Sequence, residues 1–214
     1  MLDKARYIVV EGPIGAGKTS LAQRLSEHLD ATQLFEQPQN NPFLPHFYQN
    51  TERWALPTQL SFLFQRVDQL NALPRNAPAP NQRIVSDFLL ERDPLFARIN
   101  LTEDENTLYE RVFEMVKPVA PPVPDLVIYL QAPVATLIER IRKRGADVER
   151  RITESYVERV AQRYSSFFFQ YETAPLFVVD AEVLNPIDND ADFQLLVERL
   201  DEMRGYREFF AYAG

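Results

Sequence analysis

The chain contains no cysteine, which excludes a disulfide framework and a thiolate metal site. It has two scattered histidines, too few to build a zinc centre. The missing thiols fit a reducing cytoplasm. Long hydrophobic runs are also missing. Met1-Leu2-Asp3-Lys4-Ala5-Arg6 leads straight into a short apolar segment, and no later segment could span a bilayer. A cytoplasmic location without a membrane partner is therefore expected. Positive charge is in deficit, with 23 Lys and Arg against 31 Asp and Glu, a net charge of −8 and a pI near 4.9. Polyanions do not attract such a chain, so the expected partner is a small molecule and not a nucleic-acid polymer or an anionic membrane.

What is present is ordinary for one globular domain covering 1–214: 45% apolar and 25% charged residues. Tyr7 to Val10 is a β-branched run that ends at Glu11-Gly12, and an amphipathic stretch from Gly17 to Leu29 follows. That pattern reads as strand, loop, helix. A second short strand is expected over Thr32 to Glu36. Asn41 to Leu73 has a mostly helical pattern, interrupted by Pro42, Pro45 and Pro57, and reads as two or three helices. The stretch from Pro74 to Pro80 cannot continue a helix and reads as a surface connection. Arg83 to Phe88 is a buried strand, and Thr102-Glu-Asp-Glu105 matches a capping box that opens a helix reaching about Lys117. Asp125 to Gln131 is nearly all apolar, as a central strand covered on both faces requires. Helices over Pro133 to Arg144 and Thr153 to about Tyr171, and a strand over Leu176 to Asp180, complete the series. Strands alternating with helices of this length imply a doubly wound α/β fold, a parallel sheet of about five strands with helices on both faces. The aromatic tail from Gly205 to Gly214 is expected to dock on the domain or on a partner subunit.

Gly12-Pro13-Ile14-Gly15-Ala16-Gly17-Lys18-Thr19 fits the G-x-x-x-x-G-K-[ST] phosphate-loop pattern in full, between a predicted strand and a predicted helix. Glycines let backbone N–H groups wrap a phosphate, and the helix N-terminus adds a favourable dipole. ATP binding is expected along Gly12 to Ser20. Lys18 would hold the β- and γ-phosphates, and the Thr19 hydroxyl would ligate Mg²⁺.

Further along stand Glu36-Gln-Pro38, Asn41-Pro42-Phe43-Leu44, Phe47-Tyr48, Arg53-Trp54, Gln59 and Arg66, then Asp93-Pro-Leu-Phe96-Ala97 and Glu139-Arg140-Ile-Arg-Lys-Arg144-Gly145 with Glu149. Each piece is weak alone, but the ordered set strongly resembles the deoxynucleoside kinases over about residues 7 to 180. The resemblance implies transfer of the γ-phosphate of ATP to the 5′-hydroxyl of a deoxyribonucleoside, with purine substrates slightly favoured, and assembly as a homodimer. On matching positions it implies that Glu36 is the general base, that Gln59 pairs with the nucleobase and that Phe96 stacks on it. Arg66 would lie near base and carboxylate, and Tyr48 and Glu149 would grip the 3′-hydroxyl. The pocket wall that sets base preference would include Gln59, Phe62, Arg66 and Arg92.

Six cations, Arg140, Arg142, Lys143, Arg144, Arg150 and Arg151, crowd into twelve positions of an acidic chain. Such a concentration suits an anion, and it resembles the family's lid, placed here at about 145–152, with Arg140 and Arg144 just before it closing over the triphosphate. The sequence departs from the family at Ser86-Asp87-Phe88, where many members carry an acid, an arginine and a serine. Asp87 stays placed to hold Mg²⁺, and the absent arginine's work would pass to Arg66 or Arg144. Two other functions fit parts of the pattern: a nucleoside monophosphate kinase of the thymidylate kinase kind, and a non-catalytic nucleotide-binding subunit.

Overall fold

A computed structural model describes residues 1–73, 78, 82–146 and 149–211. Its strands are β1 (Tyr7–Glu11), β2 (Thr32–Leu34), β3 (Ile84–Ser86), β4 (Leu126–Gln131), β5 (Leu176–Asp180) and β6 (Arg207–Phe210). Its helices are α1 (Lys18–His28), α2 (Leu44–Phe47), α3 (Thr51–Ala72), α4 (Asp93–Asn100), α5 (Glu103–Val116), α6 (Val134–Arg144), α7 (Glu154–Phe169) and α8 (Asp190–Glu202). A short 3₁₀ turn, Leu90–Arg92, leads into α4.

The strands form one sheet in the order β2-β3-β1-β4-β5-β6, and every neighbouring pair is parallel. Parallel neighbours need crossovers, and the helices that supply them cover both faces. Alternation along β1 divides the core. Ile8 and Val10 join Leu21 and Leu25 of α1, Leu137 of α6 and Leu196 of α8 on one face. Tyr7 and Val9 join Leu63 of α3, Tyr109 of α5 and Tyr164 of α7 on the other. Burying each large apolar side chain of this kind contributes about 1.5–3 kcal/mol, which is why a run apolar at every position settles inside the sheet.

The chain leaves β1 for one side of the sheet, to β2 and β3, and later fills the other side with β4, β5 and β6. The reversal opens a crevice beyond the carboxyl end of β1, the place where open α/β sheets hold ligands.

Several local expectations hold. Thr102 and Glu105 form the reciprocal capping box at the start of α5, and Thr153 caps α7 through the N–H of Tyr156. Among the described residues the sheet has six strands, against about five expected. The sixth is the tail segment Arg207–Phe210, which pairs with β5. Arg207 anchors it by donating to the carbonyls of Phe168 and Tyr171, at 2.8 and 2.6 Å. Pro57 does not interrupt its helix: α3 runs through it, because Ala55, Leu63, Val67 and Leu70 bury one face of the helix and that packing outweighs one lost backbone bond. The expected surface connection over Pro74 to Pro80 lies outside the described residues, apart from residue 78. Residues 147 and 148 of the expected lid and 212–214 of the tail lie outside them too.

Candidate active site

The crevice opens where β1 runs into α1. Gly15 and Gly17 adopt φ of +87° and +93°, a left-handed region that side chains avoid. A Cβ on Gly15 would sit 2.6 Å from the Leu137 carbonyl oxygen, and one on Gly17 would collide with the Ile187 side chain. Gly17 is also the N-cap of α1 and offers no capping side chain. The first N–H groups of α1 are thus left for an anion.

A cavity of about 490 Å³ lies in front of this loop, walled by Ile14, Gly15, Lys18, Thr19 and Ser20 on one side. The remaining loop residues, Gly12, Pro13, Ala16 and Gly17, shape the turn from behind. The Ala16 N–H donates to the Pro13 carbonyl at 3.1 Å. Thr19 Oγ1 donates to Asp87 Oδ2 at 2.5 Å. Asp87 is held above the usual carboxylate range, first by burial and then by the nearby charge of Glu36. A hydroxyl and a carboxylate that gains from a cation, side by side at a phosphate loop, form a hard-oxygen donor pair suited to Mg²⁺, which keeps waters and phosphate oxygens for its other positions.

Glu36 stands just past β2 on the opposite wall. Its Oε1 accepts from Arg66 Nε at 2.7 Å and from Arg92 at 2.9 Å. Its Oε2 takes no hydrogen bond among the described residues, and Glu36 lines the cavity. Burial alone would raise its pKa, but Arg66, Arg92 and Lys18 together pull it down to about 2. The carboxylate is therefore ionised throughout the physiological range.

The same two arginines reach deeper acids. Arg66 pairs with Asp93, and the Tyr109 hydroxyl donates to Asp93 as well. Arg92 Nε lies 2.7 Å from Glu11 Oε1. Glu11 is fully buried at the end of β1 and accepts from the N–H groups of Gly12 and Leu89, at 3.1 and 2.9 Å.

Gln59, Phe62, Arg66, Phe96, Tyr48 and Glu149 all line the cavity with Glu36. The Gln59 amide takes no hydrogen bond among the described residues, which leaves both a donor and an acceptor for a ligand. Phe96 packs edge-on to Tyr164, with centroids 5.9 Å apart, and the Arg92 guanidinium lies 5.0 Å from its ring centre. Burial raises the Tyr48 hydroxyl's pKa, and Tyr156 and Glu149 add to the effect. Arg144 also lines the cavity, and its guanidinium pairs with Glu149 at 2.5 Å.

Arg140 does not join this group. It shares a helical face with Arg144, but its guanidinium turns back to the carbonyl of Ala181 at 2.5 Å, just past β5. The sequence also did not show the reach of Arg92, taken only as pocket wall, and gave no role to Glu11 or to Asp93. Glu11 did leave a signal: it is an acid closing a strand whose every other residue is apolar, so its charge had to be buried with a partner.

The geometry can be compared with that of known proteins. Residues 8–203 match the family model described as deoxynucleoside kinase. Deoxyguanosine kinase of Bacillus subtilis is 29% identical, across 94% of this chain and 99% of that protein. Deoxyadenosine kinase of Lactobacillus acidophilus is also 29% identical, across 92% of this chain and 95% of that protein. The solved structure of deoxyadenosine kinase from M. mycoides with bound dCTP superposes with a TM-score of 0.79 at 28% identity, covering 92% of this chain and all of that one.

Proposed function

This chain belongs to the deoxynucleoside kinase family, and from that premise we propose that the cavity takes a deoxynucleoside and ATP, with Glu36 receiving the proton of the 5′-hydroxyl as the γ-phosphate arrives. The observation that carries the reading is that Oε2 of Glu36 takes no hydrogen bond among the described residues. Its partner oxygen is occupied by two guanidiniums, so Oε2 is the acceptor left to face an alcohol. The phosphate loop and Lys18 form the opposite wall of the same cavity. A carboxylate in that place orients the hydroxyl and takes its proton as the bond to phosphorus forms.

On the donor side, the loop Gly12 to Ser20 cradles the triphosphate of ATP with the N–H groups that its own turn leaves unused, Gly12 and Ala16 being bonded to Glu11 and Pro13. Lys18 neutralises charge on the phosphates. Thr19 and Asp87 would hold Mg²⁺, which draws charge off the phosphoryl oxygens when bound. On the acceptor side, Gln59 pairs with the base, Phe96 stacks on it, Arg66 borders base and carboxylate, and Tyr48 with Glu149 holds the 3′-hydroxyl. Arg144, the last residue of α6 and next to the proposed lid at about 145–152, lines the site. Arg140, bonded to the Ala181 carbonyl, reaches the triphosphate only by releasing that bond.

A nucleoside monophosphate as acceptor would need cations free to hold its phosphate. Arg66, Arg92 and Arg144 are each committed to carboxylates, which favours an uncharged acceptor. The similar proteins named for deoxyguanosine and deoxyadenosine support a purine preference. The test is turnover of the purified chain with ATP, Mg²⁺ and each of the four deoxynucleosides. Fastest phosphorylation of a purine deoxynucleoside is expected. Phosphorylation of thymidine monophosphate with no deoxynucleoside turned over would contradict the reading.

A further inference from the structure

Where the resemblance leads one to expect an arginine after Asp87, this chain has Phe88, and that ring is fully buried in the core. A guanidinium is nonetheless present at the carboxylate, supplied from the 3₁₀ turn Leu90–Arg92. We propose that Arg92 is a positioning residue for the kinase reaction: strung between Glu11 and Glu36, it fixes the catalytic carboxylate to the first residue of the phosphate loop. The proposal rests on the kinase reading above.

Three observations carry it. First, Arg92 meets two different carboxylates, Glu11 through an ion pair and Glu36 through a hydrogen bond. Nε stands 2.7 Å from Glu11 Oε1, and the terminal nitrogen donates to Glu36 Oε1 at 2.9 Å. A planar guanidinium can span two acids in fixed geometry, whereas the compact charge of an ammonium cannot. Second, Glu11 is anchored to what must not move. It ends β1, and Gly12, the opening residue of the phosphate loop, donates its N–H to Glu11 Oε2 at 3.1 Å. A shift of Glu11 would therefore drag the loop, and Arg92 passes that position on to Glu36. Third, the arginine itself is immobilised. Its side chain is 3% exposed, and its guanidinium lies over the rings of Phe96 and Tyr164, at 5.0 and 5.9 Å. The result holds Oε1 of Glu36 against the wall and leaves Oε2 directed at the acceptor. A displacement of about 1 Å in such a group can cost about a hundredfold in rate.

The test measures kcat and KM for R92M, E11Q, R92K and the double variant R92M/E11Q. The acceptor is whichever deoxynucleoside the wild type turns over fastest, and rates are normalised to sites that bind a non-hydrolysable ATP analogue. The double variant removes a buried cation and a buried acid together, so the net charge of the buried cluster is unchanged even if R92M alone fails to fold. In it, kcat is expected to fall at least about thirtyfold, with KM for the nucleoside within about threefold of wild type, the signature of an interaction needed in the transition state. Losses in the folded single variants should not multiply in the double, and R92K should recover little, being too short to span both acids. The proposal is overturned if the double variant keeps kcat within about threefold, if the loss lies in KM alone, if the single losses multiply, or if R92K behaves as wild type. Absence of turnover in the wild type would instead sink the kinase reading, a separate outcome.

Discussion

Thr19 on the first turn of α1 and Asp87 just beyond β3 share a hydrogen bond of 2.5 Å, although 68 residues separate them. The sheet order explains it: β3 lies beside β1, so the residue after β3 enters the crevice next to the phosphate loop. The other oxygen of Asp87 accepts from the backbone N–H of Glu36 at 2.8 Å. One carboxylate thereby ties the start of α1 to the backbone at Glu36.

Asp87→Asn is expected to lower kcat by more than about tenfold and to raise the Mg²⁺ concentration needed for half-maximal rate, since a charge-stabilising group normally contributes several kcal/mol to the barrier. A Mg²⁺ titration of initial rates checks both. A loss below tenfold with an unchanged Mg²⁺ requirement would remove Asp87 from the metal site.

Gln59→Leu keeps the volume of the side chain and removes its donor and acceptor. Leaving a base's polar edge unmatched in a closed site costs about 1–3 kcal/mol. A fall in kcat/KM for the nucleoside of about ten- to a hundredfold is expected, with KM for ATP unchanged. Equal loss for both substrates would mean that Gln59 supports the fold and not the base.

Glu36 also makes a pH prediction. Its carboxyl is lowered from the usual 4.5 to about 2, so the folded state binds its proton less tightly than the unfolded chain. Its stabilising contribution is then fully present above about pH 4.5 and is lost as pH falls towards 2. Burial pushes Glu11 and Asp87 the other way, so the whole protein's curve mixes opposite slopes. The difference between wild type and Glu36→Gln in denaturant unfolding isolates the group. The wild type's advantage should be larger at pH 6 than at pH 3; an advantage that grows on acidification would contradict the assignment.

Thr102→Ala removes one half of the capping box of α5, at an exposed residue that does not line the cavity. A cost of about 1 kcal/mol is expected, read as a fall in Tm of about 2–4 °C, with kcat unchanged. A change in kcat would mean that the cap also holds Tyr109 in place against Asp93.

Local signals made much of this legible beforehand. The apolar runs of β1 and β4, the capping box at Thr102 and the phosphate-loop pattern each depend on neighbours in sequence, where periodicity and turn chemistry act. Cavity residues such as Tyr48, Gln59, Phe96 and Glu149 were legible by resemblance alone, because no spacing rule brings a helix residue opposite a lid. What escaped was set by tertiary contact. The strand β6 is short, and the Arg207 contacts that fix it come from the end of α7. The direction of Arg140 depends on a carbonyl past β5. Arg92 looked like pocket wall because its two carboxylate partners come from β1 and from the loop after β2, and only the folded sheet brings those together.

The most direct measurement is single-turnover phosphoryl transfer by Glu36→Gln, with ATP, Mg²⁺ and the preferred deoxynucleoside bound. A neutral amide keeps the size of the group but cannot take the hydroxyl's proton. The rate should fall by about 10² to 10⁴, with both substrates still binding within a few-fold of wild type. A variant that transfers phosphate at the wild-type rate would contradict the assignment of Glu36 as base.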